Sequence, residues 1–167
     1  MGAFCLLRYY HVMFEISRVH GIEKEKKMTS KSKLEVRYAE TDQMGIVHHS
    51  NYPVWYEVGR TDFTREMGMP YDKIEENGVM FPLLGLSCKY IKAAKYGDTV
   101  IVETKVTRLN MVKVEFSYKV FRESDGELLN TGSTVHGMVT KALEPLNMKK
   151  EKPEIYQLLV SAMETEK

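Results

Sequence analysis

The segment RYAETDQMGIVHHSNY, residues 37–52, restricts the fold of this chain more than any other feature. It overlaps the end of a short alternating segment, Leu34 to Tyr38, which is typical of a strand with one buried face. It then places one carboxylate, Asp42, in a loop that contains a glycine, and runs into the start of a helix. Helix N-terminal amides stabilise developing negative charge, and a nearby carboxylate can activate a nucleophile or attack by itself. This order of elements therefore suits chemistry at a carbonyl group.

The residues that follow predict a long helix with one apolar face. Ser50 and Asn51 are good N-cap residues, and Pro53 is tolerated in the first turn because its missing N–H would be unpaired there. Gly68 and Pro70 predict the end of this helix. A glycine within the apolar stripe would let the helix backbone lie close to the element on which it packs. The stripe recurs every four residues and consists of Trp55, Gly59, Phe63 and Met67.

Further segments alternate as strands do, and no βαβ alternation is present. An apolar segment from Val79 to Ile91 comes first, and Asp125-Gly126 predicts a hairpin before the last strand. One helix with four or five long antiparallel strands predicts an α+β sandwich of a helix on a sheet. Pro153 is expected to open a short C-terminal helix. The three alternating sets are Val100, Val102, Thr104 and Val106; Val112, Val114, Phe116, Tyr118 and Val120; and Leu129, Thr131, Ser133, Val135 and Val139.

The composition excludes several classes of protein. A chain of 167 residues that is 43% hydrophobic predicts one packed domain. A net charge of +1 gives no reason to expect a nucleic-acid partner. Cys5 and Cys88 are too far apart in the sequence to form a metal-ligand pair or a redox motif, and two free thiols fit a reducing cytoplasm. The apolar run at residues 3–7 is too short for a membrane span or a signal segment, so we expect no membrane insertion.

The first part of the chain differs from the remainder. We expect residues 1–32 to be an N-terminal extension that is disordered or that reflects a start codon assigned too early, with Met28 as the true start. The charged run Glu23 to Lys27 reads as a solvated linker. The alternative is an extension that packs on an oligomer surface. The folded domain is predicted to span residues 33–167.

Residues 42–52 carry the pattern Asp-x-x-Gly-Ile-Val-x-x-x-Asn-Tyr. This pattern resembles the signature of the 4-hydroxybenzoyl-CoA thioesterase family of hotdog-fold enzymes, and His49 is similar to the histidine of the Tol-Pal-associated branch. The resemblance extends over roughly residues 33 to 145. It implies a hotdog fold, in which a curved antiparallel sheet wraps around a central helix. It also implies a cytoplasmic acyl-CoA thioesterase that acts as a homodimer or homotetramer without a metal or redox cofactor.

The resemblance also implies roles for particular residues. An Asp before Gly is ordinarily a turn residue, but Asp42 matches the catalytic carboxylate of the family, either as general base or as nucleophile. His49 matches the position whose backbone N–H polarises the thioester carbonyl. Basic side chains hold the CoA nucleotide in the family. Arg60, by contrast, is expected to lie on a solvated face of the helix. The predicted substrate-binding residues are Gly45, Ile46, Val47, Ser50, Asn51, Tyr52, Glu57, Lys89 and Lys95.

Four alternatives remain open at this point. A metal site formed by His48, His49 and Glu40 is disfavoured, because adjacent histidines rarely chelate one ion. A triad of Ser50, a histidine and Asp42 lacks the Gly-x-Ser-x-Gly elbow. A hotdog hydratase or dehydratase would need a proton-transferring pair at carbon, and a non-catalytic acyl-CoA-binding protein would carry a DNA-binding appendage. The acyl group, and the choice between CoA and acyl carrier protein, are not encoded in any motif.

Overall fold

The computed structural model describes residues 28–163. Most of the predicted extension, residues 1–27, therefore lies outside the described residues, and so do residues 164–167. The described elements are β1 (Ser30–Glu35), a 3-10 turn (Tyr38–Glu40), α1 (Asn51–Glu66), α2 (Tyr71–Glu76), β2 (Leu83–Tyr90), β3 (Thr99–Leu109), β4 (Lys113–Arg122), β5 (Leu128–Gly137), α3 (Met148–Glu151) and α4 (Pro153–Ala162).

Five strands form one antiparallel sheet in the order β1-β3-β4-β5-β2. Helix α1 packs on the inner face of this sheet, mainly over β1 and β3. The core lies between the helix and the sheet and includes Trp55, Phe63, Val102, Phe116 and Tyr118. This arrangement confirms the predicted α+β fold class. No helix in the described part of the chain is long and apolar enough to cross a membrane.

Strand β1 starts earlier and ends earlier than its alternation predicts. It spans Ser30–Glu35, whereas the apolar pattern indicated Leu34 to Tyr38. The side chains of Ser30 and Ser32 point inward and are buried. Their hydroxyl groups donate hydrogen bonds to carboxylates of α1, at 2.9 Å and 2.6 Å, which stabilises them in the interior. A serine pattern carries no hydrophobic signal, so residues 30–32 were wrongly assigned to the extension. They belong to the sheet.

Gly59 of α1 lies against β3, as predicted from its place in the apolar stripe. A Cβ at this position would overlap the Thr104 hydroxyl and lie 3.0 Å from a methyl carbon of Val102. Only a residue without a side chain allows this close approach of helix and sheet. The same contact leaves the buried Thr104 hydroxyl without a hydrogen-bond partner among the described residues.

The interior of β5 is polar, in contrast to the alternation that was read from its sequence. Its buried inward residues include Asn130, Thr134 and His136, while Thr131, Ser133 and Val135 are half-buried. The predicted face of β4 is correct from Val114 to Tyr118 and Val120, but Val112 lies in the preceding turn and is exposed. Polar inward residues are stable only where partners exist, and those partners come from helix α1 and neighbouring strands.

Candidate active site

Glu40 organises the loop between β1 and α1. Its buried carboxylate accepts hydrogen bonds from the Arg37 amide at 2.8 Å, the Arg37 guanidinium at 3.1 Å and the Trp55 indole at 3.1 Å. Its carbonyl oxygen accepts from the His48 amide and the Asn51 side chain, both at 2.8 Å. Burial alone would raise the pKa of Glu40, but the hydrogen bonds from Arg37 and Trp55 lower it. The carboxylate is therefore occupied within the loop, which leaves Glu40 unsuited to a metal site with His48 and His49.

The Asp42 loop is closed by its own backbone. The Asp42 amide donates to the Ile46 carbonyl and the Gly45 amide donates to the Asp42 carbonyl, both at 2.9 Å. Gly45 has a φ of 73°, a left-handed conformation that glycine adopts without strain. One oxygen of the Asp42 carboxylate accepts from the Met44 amide at 2.8 Å. No side chain among the described residues pairs with Asp42, so its second carboxylate oxygen is available to a ligand.

Helix α1 begins beside this carboxylate. The Asn51 side chain donates to the carbonyls of Glu40 and His48 and fixes the loop. Among the described residues no acceptor takes the His49 amide hydrogen. The His49 carbonyl accepts from the Tyr90 hydroxyl at 3.2 Å, and the centre of the exposed imidazole lies 4.0 Å from that of His48 with the ring planes tilted by 36°. This free N–H lies two residues before α1 begins and is a hydrogen-bond donor for an anionic oxygen.

Asp42 and His49 open on one cleft of about 290 Å³. Tyr52 forms a wall of the cleft, with its ring 4.8 Å from that of Trp55 and 5.3 Å from that of Tyr90. Tyr90 and Lys92 also line the cleft, although neither was among the predicted site residues. Of the predicted residues, Gly45 and Asn51 shape the loop and do not line the cleft. The full lining is Asp42, Met44, Ile46, Val47, His49, Tyr52, Tyr90, Ile91, Lys92 and Ala93.

Other predicted site residues lie elsewhere. Lys89 is exposed on β2 and lines a shallow depression with Ser87 and Lys119, and Lys95 is exposed before Gly97. The Ser50 side chain does not cap α1, because it hydrogen-bonds the His48 imidazole at 2.8 Å. Asp42 makes no contact with this exposed pair, so the residues do not form a catalytic triad. No group of three or more His, Cys, Asp or Glu within residues 28–163 could hold a metal ion.

A second cleft of about 230 Å³ lies along α1 beyond its first turn. The predicted site residue Glu57 lines this cleft, as does Arg60. The prediction of a solvated Arg60 is wrong: its side chain is partly buried, donates to the Tyr71 hydroxyl at 2.9 Å and lies 5.8 Å from the Tyr71 ring centre. Sequence spacing placed Arg60 on the helix but gave no sign of the tyrosine. The lining is Pro53, Val54, Glu57, Arg60, Phe81, Leu83, Leu86, Thr134 and His136.

A chain of hydrogen bonds closes the inner wall of the second cleft. The His136 Nδ1 lies 3.0 Å from the Phe81 carbonyl, which can only accept, so Nδ1 carries the hydrogen. Burial, and then the charge of Arg60, lower the pKa of His136 to about 4. The neutral ring therefore accepts from Thr134 at 3.0 Å through Nε2, and Thr134 accepts from the Tyr118 hydroxyl at 2.7 Å. The three polar side chains and the Phe81 carbonyl therefore satisfy one another's hydrogen-bonding groups.

Comparison with known proteins identifies the family. The sequence profile described as the Thioesterase superfamily matches residues 44–129, just over half of the 167 residues. A putative acyl-CoA thioesterase of Bacillus subtilis is 40% identical over 126 residues, which cover 75% of this chain and 91% of that protein. The chain belongs to the thioesterase superfamily. It is a thioester hydrolase, as predicted.

Solved structures of similar fold support this assignment to the thioesterase superfamily. A hypothetical protein from Thermus thermophilus is 37% identical with a TM-score of 0.75, and the match covers 83% of this chain and 100% of that one. A DHNA-CoA thioesterase from Staphylococcus aureus is 32% identical, also with a TM-score of 0.75, over 79% of this chain and 89% of that one. The predicted hotdog fold of this thioesterase is thereby confirmed.

Proposed function

We propose that this thioesterase hydrolyses acyl-CoA at the cleft between the Asp42 loop and the start of α1. One observation carries the proposal: the free carboxylate oxygen of Asp42 and the free amide of His49 open on the same cleft. The relative from Bacillus subtilis is named a putative acyl-CoA thioesterase, which supports CoA as the thiol. An acyl carrier protein thioester presents the same reacting carbonyl. A competition assay with acyl-CoA and acyl carrier protein thioesters shows which of the two the enzyme prefers.

The geometry supports a reaction without a cofactor. The thioester carbonyl accepts a hydrogen bond from the His49 amide, which stabilises the oxyanion as it forms. In the general-base route Asp42 takes a proton from water as the water oxygen attacks the carbonyl carbon. Collapse of the tetrahedral intermediate breaks the C–S bond, and the proton passes to the CoA thiolate. In the nucleophilic route Asp42 attacks instead, expels the thiolate and forms an anhydride, which water then hydrolyses.

Other residues at and near the cleft are proposed to bind the acyl group and the CoA phosphates. Tyr52, Ile46 and Val47 form the apolar wall beside the reacting group. Lys92 at the edge of the cleft is proposed to meet a phosphate of CoA. The exposed Lys89 and Lys95 remain proposed phosphate contacts at the surface of the protein.

The finer family branch and the assembly are also proposals. The Asp42 to Tyr52 pattern together with His49 favours the Tol-Pal-associated branch of the 4-hydroxybenzoyl-CoA thioesterase-like enzymes. Relatives from Haemophilus influenzae and Escherichia coli, 30% and 25% identical, are named acyl-CoA thioesterase and acyl-CoA thioester hydrolase, which supports acyl-CoA as the substrate. We propose a cytoplasmic homodimer or homotetramer in which β2, at the edge of the sheet, pairs with a second copy.

Kinetic assays of one substitution test the catalytic site. The purified protein is incubated with a panel of acyl-CoAs, and released CoA is measured with a thiol reagent. Asp42→Asn is expected to lower kcat by roughly 10²–10⁴-fold, the usual contribution of a general base, with a larger loss if Asp42 is the nucleophile. KM should change little, because this carboxylate contacts the reacting atoms and not the nucleotide.

Asp72→Asn is the matched control, because Asp72 is an exposed carboxylate on α2. It should retain the kcat of the parent enzyme. Near-normal turnover by Asp42→Asn would end the assignment of Asp42. Activity lost on chelation and restored by zinc would instead require metal chemistry.

A further inference from the structure

The second cleft contains a positive charge that lacks a carboxylate partner among the described residues. Arg60 is held by neutral groups, with the Tyr71 hydroxyl at 2.9 Å and the Tyr71 ring beneath it. Arg65 on the same helix shows the ordinary arrangement, because it pairs with Asp62 at 2.6 Å. A guanidinium has five N–H donors, so Arg60 retains donors that can bind a ligand.

The second cleft follows the same helix face as the proposed carbonyl site. Pro53, Glu57 and Arg60 lie on one side of α1, at spacings of four and three residues, and α1 begins two residues after His49. At a rise of 1.5 Å per residue, Arg60 lies about 14 Å along the axis from Asn51, the first residue of α1. The cleft is otherwise mainly apolar, with Pro53, Phe81 and leucines of β2 in its walls. An acyl chain that begins at the His49 amide can therefore run along this face towards Arg60.

The other polar groups in the cleft do not compete for the role of anion ligand. Thr134 and His136 are already engaged in the hydrogen-bonded chain from Tyr118 to the Phe81 carbonyl. Glu57 is exposed at the cleft and forms no ion pair with Arg60 within the described residues. It lies about 4.5 Å nearer the helix start, so an acyl group passes Glu57 before it reaches Arg60. The negative charge of Glu57 repels an anionic ligand, whereas the positive charge of Arg60 attracts one.

We propose that Arg60 binds a carboxylate at the far end of the acyl group, so that this enzyme prefers CoA monothioesters of dicarboxylic acids to the corresponding monocarboxylic thioesters. The inference rests on the proposed acyl-CoA hydrolysis and adds a substrate class to it. The partly buried position of Arg60 strengthens a charge-assisted hydrogen bond to a carboxylate relative to one at the surface.

A matched pair of substrates tests the proposal. Dodecanedioyl-CoA and dodecanoyl-CoA have twelve-carbon acyl chains, long enough to reach Arg60 from the reacting carbonyl, and differ in the terminal carboxylate. The measured quantity is the ratio of kcat/KM for dodecanedioyl-CoA to that for dodecanoyl-CoA. Arg60→Gln is expected to lower this ratio by about 10- to 100-fold, as for a lost hydrogen bond to a charged group. Glu57→Gln should raise the ratio, because it removes the opposing charge.

Arg65→Gln is the control, since Arg65 is exposed on the same helix and lies outside both clefts. It should leave the ratio unchanged. If Arg60 only supports Tyr71, Arg60→Gln slows both substrates equally and the ratio stays constant, which overturns the proposal. If Arg60→Gln does not fold, as judged by circular dichroism, Arg60→Met is measured instead. It keeps a long unbranched side chain but removes the charge, and an unchanged ratio there would also overturn the proposal. Failure of the parent enzyme to hydrolyse any acyl-CoA would refute the proposed function itself.

Discussion

At the scale of single residues, two neighbouring groups are proposed to divide the chemistry. Asp42 supplies a carboxylate whose loop is closed by backbone hydrogen bonds, and His49 supplies a backbone amide two residues before α1 begins. The imidazole of His49 is exposed and packs at a tilt against that of His48, and it forms no hydrogen bond with Asp42. The catalytic roles of the His49 amide and the His49 imidazole can therefore be tested separately.

Substitution of His49 separates these two roles. His49→Ala keeps the backbone N–H and should keep much of the turnover. His49→Pro removes the N–H and should lower kcat by about 10²–10³-fold, the loss measured for one oxyanion donor elsewhere. Proline is acceptable near a helix start, and circular dichroism checks the fold. Equal damage by alanine and proline in folded enzyme would show that the imidazole is catalytic.

His136 is expected to make stability depend on pH. Its pKa is lowered from 6.5 to about 4 in the folded state, so the unfolded chain binds a proton first as the pH falls. Stability is then complete above about pH 6.5 and declines towards pH 4, by at most about 3 kcal/mol. Urea unfolding at several pH values measures the decline. His136→Gln, which does not titrate, should reduce the decline between pH 6.5 and 4, and an unchanged slope would contradict the role of His136.

At the scale of elements, the distance between α1 and β3 depends on one glycine. Gly59 allows the helix backbone to approach Thr104 and Val102 more closely than any side chain would permit. This approach brings the inward side chains of α1 into reach of the distant strands. Tyr56 of α1, for example, contacts Asn130 of β5 and Cys88 of β2 through its hydroxyl group.

Gly59→Ala is therefore expected to destabilise the protein. Alanine usually favours a helix over glycine, but here its Cβ overlaps the Thr104 hydroxyl, and overpacking typically costs about 1–3 kcal/mol. Thermal or urea unfolding measures the cost. In a Thr104→Ala background the same change should cost less, because the overlapping atom is gone. Strictly additive free energies in this double-mutant cycle would show that the contact does not limit the packing.

At the scale of the whole molecule, the sheet has an exposed apolar edge. Strand β2 and the residue after it expose the large side chains of Leu83, Leu84, Leu86, Tyr90 and Ile91. β2 is also the last strand in the sheet order, so its outer backbone groups have no strand partner among the described residues. Such an edge is a ready template for pairing with another chain. The second cleft includes Leu83 and Leu86, so pairing there would also cover the cleft.

The protein is therefore predicted to sediment as a dimer or a larger even assembly. Leu84→Asp places a charge on the edge strand and should shift the equilibrium towards monomer, as measured by analytical ultracentrifugation. Leu143→Asp is the control, because Leu143 is exposed in a loop away from this edge. It should leave the assembly intact. A monomeric parent protein, or an equal effect of both substitutions, would contradict pairing through β2.

The sequence by itself determined the features that depend on neighbours along the chain. The carboxylate loop, the start of α1, the apolar faces of β3 and β4 and the hairpin before β5 are encoded locally in turn residues and alternation. The need for glycine at position 59 was also readable, because the helical period fixes which residues share a face. The family pattern then added the expected roles of Asp42 and His49.

Only the tertiary structure decided where polar side chains enter the core. Ser30, Ser32, Glu40, Arg60 and His136 each gain a partner that lies elsewhere in the sequence or across a turn. A polar side chain inside a protein is stable only when such a partner satisfies it, and hydrophobic patterning contains no record of that partner. The extent of β1, the polar face of β5 and the second cleft therefore depend on the packing of α1 on the sheet, which brings these groups together.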